Sequence, residues 1–481
     1  MDPAEFRAAG HRLIDELAKY LDHVEERPVF PDVEPATLHR LFDEPMPGAG
    51  APLDTVLDEL NEKLLPYCTH VSHPGYFGLI TPTPTPAGIL GDLLASALNQ
   101  NVGAYSIGPS AVALERRTVR WLTDLVGYDA RAGGNLTSGG TMAHFIGLKL
   151  ARDWASGDRT QHEGVTERWA VYTSEERHVS VDKAVDAVGL GRDSLRALPT
   201  DDRFRLDLPA LESAITEDRR KGIRPMCIVG MAGTTNIGTV DDLAALRRIA
   251  DREGMWLHVD AAYGGGVLLS EELRPLLAAL ALADSVVLDP HKWFYAPLDA
   301  GAILVKEEAR LTASFGIAPP YLTDRTDEAG ERYNYYVHGF EQSRRFRALK
   351  VWMALKRYGA REVGRWVEAN VALARRLHDL AADDPDFVPA TEPPMSAVCL
   401  RFAPVGLEES VLAPLHDRVA RRIQEGGRYW ISTTQMKGRT WFRVNPVNFR
   451  SRGEHIEGLF ADLRAACAEA GANVSVSGSA S

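Results

Sequence analysis

The sequence predicts an α/β fold built on a mainly parallel central sheet with helices on both faces. Three observations lead to this prediction. Short apolar runs typical of buried strands recur through the middle of the chain, an amphipathic helical pattern separates two of them, and polar clusters follow three of them. Ligands of such sheets bind outside the carboxyl ends of the strands, so the polar clusters mark the expected site.

Length and composition limit the class of protein. A chain of 481 residues exceeds one ordinary hydrophobic core, and 45% hydrophobic with 25% charged residues is typical of globular proteins. The net charge of −12 argues against nucleic acid and anionic membranes as partners, because both attract basic surfaces. No apolar run is long enough to span a membrane. The four cysteines lack metal-ligand spacing and the N-terminus lacks a signal peptide, so we expect a reduced, cytoplasmic chain without a metal.

Residues 1–84 are predicted to be helical. The run HRLIDELAKYLDHVEER (11–27) places five apolar side chains on one helical face, those of Leu13, Ile14, Leu17, Leu21 and Val24. A second amphipathic run, LDTVLDELNEKLLP (53–66), follows a proline-rich connection, with Asp54 as its expected N-cap. Two helices without strands cannot bury both apolar faces, so this segment must pack on another domain or another chain.

Residues 85–365 are predicted to form the large domain. Its strand candidates are RWAVYTS (168–174), PMCIVGMAG (225–233), MWLHVDAA (255–262), DSVVLDP (284–290) and GAILVKE (301–307). The helix TVDDLAALRRIADREG (239–254) lies between the second and the third, with Gly254 as its expected C-cap. Strand, helix and strand at this spacing form a βαβ unit, which places neighbouring strands in parallel.

Residues 366–481 are predicted to form a smaller α/β domain. Three strand candidates surround the helix SVLAPLHDRVARRIQEGG (410–427): MSAVCLRF (395–402), YWISTTQ (429–435) and RTWFRVN (439–445).

A glycine-rich loop runs into an amphipathic helix within GGNLTSGGTMAHFIGLKLARD (133–153). The small residues Ser138, Gly139, Gly140 and Thr141 leave backbone N–H groups free at the start of the helix, which suits a phosphate group. The segment lacks the lysine of a P-loop and the spacing of a dinucleotide motif. An ordinary flexible turn is the alternative interpretation.

Three side chains in the polar clusters complement a phosphate site. Asp260 ends an apolar strand and needs a cationic or N–H partner, unless it serves as a helix cap. Lys292 follows another strand, where a ring-lined site would make it a nucleophile toward carbonyls, unless it reaches out to the rim. His178 could stack on a flat ring or be an ordinary core or surface histidine. A phosphate cradle, a carboxylate, an amine nucleophile and a stacking ring together are what pyridoxal 5′-phosphate (PLP) requires.

The sequence resembles the group II PLP-dependent decarboxylases, which include the aromatic L-amino-acid, histidine and glutamate decarboxylases. The motifs that carry the resemblance are PDVEP, HPGYF, TSGGT, SEERHVSVDKA, GTTNIGTVDDL, LHVDAAYGG, DPHKW and SRRFRALKVWMALKRYG. They span nearly the whole chain, and they imply the type I fold of PLP-dependent transferases. They also imply an N-terminal helical segment exchanged across an obligate homodimer, with the active site at the dimer interface.

The resemblance further implies roles for single residues. The phosphate group would be held by the following residues, the last two as alternatives: Gly139, Gly140, Thr141, Asp289 and His291. Lys292 would bind the aldehyde of the cofactor covalently, and Asp260 would pair with its pyridine nitrogen. Ala262 and His178 would cover the two faces of the ring, and Thr235 would lie near the ring oxygen.

In the decarboxylases that the sequence resembles, a tyrosine on a mobile loop returns a proton to the substrate after CO₂ leaves. The corresponding loop here, TDRTDEAGERYNYYVHGFEQ (323–342), contains Tyr333, Tyr335 and Tyr336. We expect Tyr335 to be the proton donor, judged from its distance to the following motif. The alternative is that all three tyrosines pack at the base of the loop.

The substrate pocket departs from that of the aromatic-acid decarboxylases in this family. At the positions of their apolar and aromatic walls the chain has Asn101 and Gly103, and Leu79 and Ile80, although Tyr105 still supplies one ring. We therefore expect a roomier or more polar pocket than one built for an aromatic side chain.

The predicted function is decarboxylation of an L-amino acid, aromatic or related, to the amine and CO₂, a lyase reaction. One alternative is oxidative decarboxylation and deamination to an aldehyde, or a transamination. The other alternative is a scaffold protein without cofactor, against which the presence of Lys292, Asp260 and His178 argues.

Overall fold

The computed structural model describes residues 2–317 and 331–478. It divides into two compact units. The larger contains residues 80–372 and 393–397, and the smaller contains residues 1–79, 373–392 and 398–481. The larger unit contains residues 366–372 and 393–397 of the predicted C-terminal segment, and the division into three domains stays a prediction. Within the described ranges, no helix is long and apolar enough to cross a membrane.

The α-helices are α1 (Pro3–Asp22), α2 (Pro35–Leu41), α3 (Leu53–Lys63), α4 (Pro86–Leu98), α5 (Pro109–Val126), α6 (Gly140–Ser156), α7 (Thr160–Glu163), α8 (Val179–Ala187), α9 (Leu208–Arg220), α10 (Leu243–Glu253), α11 (Ala309–Phe315), α12 (Ala348–Ala382), α13 (Glu409–Glu425) and α14 (Gly453–Gly478). The strands are β1 (Gly133–Thr137), β2 (Trp169–Ser174), β3 (Leu195–Leu198), β4 (Arg224–Met231), β5 (Trp256–Asp260), β6 (Ser285–Leu288), β7 (Gly301–Val305), β8 (Phe387–Pro389), β9 (Val398–Phe402), β10 (Ser432–Met436) and β11 (Arg439–Val444).

The larger unit is built on a seven-stranded sheet in the order β1-β7-β6-β5-β4-β2-β3. The pairs β2/β3, β2/β4, β4/β5 and β5/β6 are parallel, and β7 is antiparallel to β6 and β1. The predicted mainly parallel sheet is therefore confirmed, and each of its five predicted strands is present. Gly254 ends α10 in the left-handed conformation, as predicted.

Strand β1 was not predicted, because its two glycines make it resemble a loop. A Cβ atom on Gly134 would lie 2.3 Å from the carbonyl oxygen of Ile303 in β7, so this edge strand needs a glycine to pair closely.

The smaller unit contains an antiparallel sheet in the order β10-β11-β9-β8. Apolar side chains of this sheet and of α13 and α14 form a common core. The three predicted strands are present, and the three-residue β8 is an additional edge strand. The prediction of Asp54 as an N-cap is wrong. The N-cap of α3 is Pro52, and the carboxylate of Asp54 instead accepts a hydrogen bond from Arg12 of α1 at 3.1 Å.

A buried ion pair ties three segments of the larger unit together. The guanidinium group of Arg344 donates to Glu115 Oε1 of α5 at 2.5 Å, to the carbonyl of Leu136 in β1 at 2.9 Å and to that of Val102 at 3.2 Å. The Arg344 and Glu115 side chains are 2% and 0% exposed. Because each charge would be uncompensated without the other, the pair is expected to matter strongly for stability.

We predict that Glu115→Ala lowers the free energy of unfolding by about 3–5 kcal/mol, because it leaves the buried guanidinium group of Arg344 without its anion. Urea unfolding of the cofactor-free protein, followed by far-UV circular dichroism, measures the change. Asp186→Ala is the control, since its ion pair with Arg192 is exposed on both sides and contributes little. Equal effects of the two substitutions would contradict the prediction.

Candidate active site

A cavity of about 300 Å³ lies at the carboxyl ends of β4, β5 and β6 and beside the first turn of α6. Its walls include all ten residues predicted to bind the cofactor: Gly139, Gly140, Thr141, His178, Thr235, Asp260, Ala262, Asp289, His291 and Lys292. The parallel pairing of β5 with β6 sets Asp260 beside Val287, which brings the segments that follow both strands to the same edge. The structure thus gathers in one place residues that are far apart in sequence.

Gly139 and Gly140 at the start of α6 leave an open space beside the backbone, which we call the glycine cradle. Gly139 precedes the helix with a φ of 145°, a conformation that favours glycine, and no side chain caps the first backbone N–H groups. Cβ atoms would lie 3.2 Å from His291 Cε1 if added to Gly139, and 3.0 Å from Asp289 Oδ2 if added to Gly140. The free N–H groups and the positive end of the 17-residue helix fit a phosphate group.

Asp260 is the most strongly held acid of the cavity. Its Oδ1 accepts the backbone N–H of Ala262 at 3.0 Å, and its Oδ2 lies 3.1 Å from His144 Nε2. Burial pushes the pKa of the Asp260 carboxyl upward, but the partner His144, the charge of Lys292 and the N–H of Ala262 hold the pKa well below its usual range. The carboxylate is therefore ionised and can pair with a protonated ring nitrogen.

Lys292 and its neighbours place both positive and negative groups beside the cradle. Lys292 Nζ lies 3.3 Å from Asp289 Oδ2, and His291 Nε2 lies 3.6 Å from the same oxygen. The other oxygen of Asp289 is buried and has no hydrogen-bond partner in the part of the chain that the structure describes. The amine of Lys292, the imidazole of His291 and this unused acceptor are polar groups that the cavity offers to a bound molecule.

His178 is fixed by its own helix. Its Nδ1 accepts the backbone N–H of Ser180 at 3.2 Å and lies 2.7 Å from the Ser180 hydroxyl oxygen, so the ring is the N-cap of α8. Burial and the charge of Lys292 lower the pKa of His178, although Asp260 and Asp289 oppose this. The ring is thus neutral, with its hydrogen on Nε2, and its plane is set before any ligand arrives.

Tyr335 is not brought to the cavity in the chain as described. Its ring is 1% exposed and packs on the guanidinium group of Arg344, whose carbon lies 4.2 Å from the ring centroid. Burial raises the pKa of its hydroxyl well above the usual value. The ring thus packs at the base of the loop within the described chain, and the role of Tyr335 as proton donor stays a prediction. Residues 323–330 of the predicted loop lie outside the described residues.

None of the predicted substrate-pocket residues is among the described residues that line the cavity. The side-chain oxygen of Asn101 accepts the N–H groups of Gly103 and Arg344, both at 2.9 Å, so it holds the backbone. Tyr105 is 36% exposed, and Ile80 is partly buried. Leu79, 53% exposed, belongs to the smaller unit. Their substrate-binding role stays a prediction.

Several cavity residues were not predicted, notably His144, Ser180, Met231 and Tyr263. For His144 a signal existed in the sequence, because it lies one helical turn after Gly140 and therefore on the same side of the predicted helix. For Tyr263 the sequence offered less, since its hydroxyl group meets Ser396, at 2.6 Å, only in the folded chain.

Comparison with known proteins identifies the family. Residues 35–403 match the sequence profile described as "Pyridoxal-dependent decarboxylase conserved domain". The chain belongs to this family. Aromatic-L-amino-acid decarboxylase of Bacillus atrophaeus is 30% identical over 466 residues, covering 97% of this chain and 96% of that protein. Phenylacetaldehyde synthase of Arabidopsis thaliana is 30% identical over 451 residues, covering 92% of each.

The fold comparison agrees with the sequence comparison. The crystal structure of Oryza sativa TDC with PLP and tryptamine matches with a TM-score of 0.91 at 28% identity, covering 98% of this chain and 99% of that one. The predicted family, fold class, PLP cofactor and PLP-dependent carboxy-lyase activity are confirmed by these matches. The glycine cradle, the ionised Asp260 and the amine of Lys292 fit PLP at its phosphate, its ring nitrogen and its aldehyde.

We predict that Gly301→Ala weakens PLP binding about tenfold, because the new Cβ atom would lie 2.4 Å from the Cα atom of Gly139 and push the cradle out of place. Titration of the cofactor-free enzyme with PLP, followed by quenching of tryptophan fluorescence, gives the dissociation constant. Gly453→Ala is the control, since no atom lies within 4 Å of a Cβ atom placed there. Unchanged affinity in Gly301→Ala would refute this account of the cradle.

Proposed function

We propose that this PLP-dependent decarboxylase acts on an L-amino acid with an aromatic or related side chain and works as a cytoplasmic homodimer. The observation that carries the activity is the joint placement of Asp260, Lys292 and the glycine cradle around one cavity. The substrate class is supported by relatives named aromatic-L-amino-acid decarboxylase and tyrosine decarboxylase. The cytoplasmic location is supported by the low cysteine content, four in 481 residues, without metal-ligand spacing.

The residues of the cavity divide the chemistry between them. PLP, when bound, takes up the electrons that remain on the substrate Cα after a bond to that carbon breaks. Asp260 would keep the ring nitrogen protonated, since its own carboxyl group is ionised and fixed. Lys292 would supply the amine that holds the cofactor, and the ring of His178, held at Nδ1 by Ser180, would cover one face of it.

Aldehyde formation is the second candidate, because phenylacetaldehyde synthases from two plants are also similar to this chain. Decarboxylation with release of the amine and oxidative formation of an aldehyde share the cofactor and the first broken bond. They differ in how the electrons leave, so the product and the use of oxygen distinguish them.

We expect the PLP-loaded enzyme, given a panel of L-amino acids, to release CO₂ and the matching amine in equal amounts from an aromatic or related substrate. Gas analysis and mass spectrometry of the products measure both. Lys292→Ala should lose the activity, and borohydride treatment should attach a pyridoxyl group to Lys292 in the unsubstituted enzyme alone. An aldehyde formed with oxygen consumption would replace this proposal by the second candidate.

The homodimer is supported by α4, whose outer face is apolar. Four leucines along one side of this helix are 44–52% exposed: Leu90, Leu93, Leu94 and Leu98. The opposite side carries small residues, and a Cβ atom on Gly91 would lie 2.8 Å from the Cα atom of Lys350. A helix that turns its glycines inward and its leucines outward has its apolar face prepared for another chain.

The smaller unit has an apolar surface of the same kind. In α1 the side chains of Leu13, Ile14 and Leu17 are 37–39% exposed, and in α3 those of Val56 and Leu60 are 38% and 42% exposed. Leu13, Ile14 and Leu17 belong to the apolar helical face that the sequence predicted to pack on another domain or another chain. Their exposure within one chain supports the proposal that the N-terminal segment is covered by a second copy.

We predict that the double substitution Leu90→Glu/Leu94→Glu makes the protein monomeric, because it places two charges on the outer face of α4. Sedimentation velocity of the PLP-loaded enzyme measures the assembly, and the unsubstituted chain should sediment as a dimer. Leu282→Glu, at a leucine 38% exposed elsewhere in the larger unit, is the control and should remain dimeric. A dimeric double variant would exclude α4 from the interface.

A further inference from the structure

Behind Asp260, four buried side chains continue its hydrogen bonding into the core, and we call them the histidine relay: His144, His258, Ser285 and Trp256. His144 Nε2 lies 3.1 Å from Asp260 Oδ2, and His144 Nδ1 lies 3.0 Å from His258 Nε2. His258 Nδ1 lies 2.7 Å from Ser285 Oγ, which accepts the indole N–H of Trp256 at 2.8 Å. The four side chains are at most 4% exposed.

The fold assembles the relay from three elements. His258 and Asp260 are two residues apart in β5 and so point to the same face of the sheet. His258 stands opposite Ser285 of the neighbouring β6, and α6 brings His144 onto that face. Gly147 of α6 makes room, because a Cβ atom there would lie 2.3 Å from His258 Cε1. Any other residue at this position would compete with the imidazole ring for space.

Donor and acceptor chemistry gives the relay a direction. The indole nitrogen of Trp256 can only donate, so Ser285 Oγ accepts there and donates its own hydrogen to His258 Nδ1. A neutral His258 then carries its hydrogen on Nε2 and donates it to His144 Nδ1. A neutral His144 in turn donates from Nε2 to Asp260, the final acceptor. All four hydrogen bonds therefore point toward the carboxylate.

The reverse direction leaves one hydrogen unused. It needs a doubly protonated His144 that donates to His258, which would donate to Ser285 Oγ. The hydroxyl hydrogen of Ser285 would then need another acceptor, whereas in the described residues its oxygen is bonded to Trp256 and His258 alone. Burial is the main cause that lowers the pKa of His258 to about 3, so its ring is neutral in both directions, and the hydroxyl hydrogen of Ser285 is what distinguishes them.

We propose that the histidine relay aims the carboxylate of Asp260 and keeps it ionised, so that it pairs with the pyridine nitrogen of the cofactor. This inference rests on the proposed function, in which Asp260 has that role. A carboxylate with one oxygen held by Ala262 N–H and the other by His144 has a fixed orientation. Donated hydrogen bonds also favour its charged form. His144, His258 and Ser285 act through Asp260 and are positioning residues.

Substitutions of His258 test the relay in the PLP-loaded enzyme. His258→Phe fills the space of the imidazole ring but ends the row of hydrogen bonds, whereas His258→Gln keeps an N–H donor for His144. We expect His258→Phe to raise the dissociation constant for PLP about tenfold and to alter the visible circular dichroism band of the bound cofactor. His258→Gln should restore most of both. Equilibrium dialysis and circular dichroism are the two measurements.

His416→Phe is the matched control, because His416 is also fully buried but hydrogen-bonds to the backbone of Phe402 in the smaller unit. It should leave affinity and the circular dichroism band unchanged. An unaltered His258→Phe enzyme, or equal changes in His416→Phe, would overturn the proposal. If the unsubstituted enzyme forms amine while His258→Phe binds PLP normally, only the relay fails. An unsubstituted enzyme that forms no amine from any substrate contradicts the proposed function instead.

Ser285→Ala keeps the test decisive if His258→Phe does not fold, because it removes a single hydroxyl group. It should weaken PLP binding in the same direction and by a smaller factor. Solid-state NMR of the holoenzyme labelled with nitrogen-15 histidine shows which ring nitrogens of His144 and His258 carry hydrogen, and so gives the direction of the hydrogen bonds. The signals lost in His258→Gln and His144→Gln identify the two rings, and both should be neutral with hydrogen on Nε2. A doubly protonated His144 would overturn the proposed direction.

Discussion

The buried negative charge of Asp260 is the constraint on which the arrangement of the larger unit depends. A carboxylate removed from water is strongly unfavourable unless donors surround it, so the elements around β5 must supply them. The turn after β5 supplies the N–H of Ala262, and α6 supplies the imidazole of His144. α6 can lie close enough because a glycine, Gly147, faces the buried ring of His258. Packing and electrostatics are therefore satisfied by the same few residues.

In the proposed function, the same helix supports both ends of the cofactor. Its first turn, which begins at Gly140 without a side-chain cap, leaves backbone donors for the phosphate group. One turn later, the side chain of His144 lies against the carboxylate of Asp260. Because α6 is a single rigid element, the distance between the phosphate cradle and Asp260 is set by helix geometry rather than by loops. Lys292 follows β6. Because β6 is parallel to β5, Lys292 lies at the same edge of the sheet as Asp260.

The sequence was informative where one local pattern implies one environment. Apolar runs predicted five strands of the large sheet, and the polar clusters, the small residues after Thr137 and the family resemblance together predicted ten residues that line one cavity. The strand β1 was not predicted. Its glycine Gly134 allows close pairing with β7, which only the folded sheet shows. The partner of His144 likewise lies 116 residues away, so its role depends on tertiary packing. Tyr335 was assigned by its distance to a motif, and sequence distance carries no information on burial.

The position of Tyr335 follows from how β1 is held. β1 leads directly into the phosphate cradle, so any movement of this edge strand would move the cradle as well. Arg344 binds the carbonyl of Leu136 in β1, and Asn135 of β1 donates to the carbonyl of His338 at 2.5 Å. Residues 335–344 thus bind β1 at the edge of the sheet. The ring of Tyr335 packs on the guanidinium group of Arg344, which donates to the carbonyl of Leu136 in β1. The buried ring of Tyr335 therefore helps to hold this edge strand through its packing on Arg344.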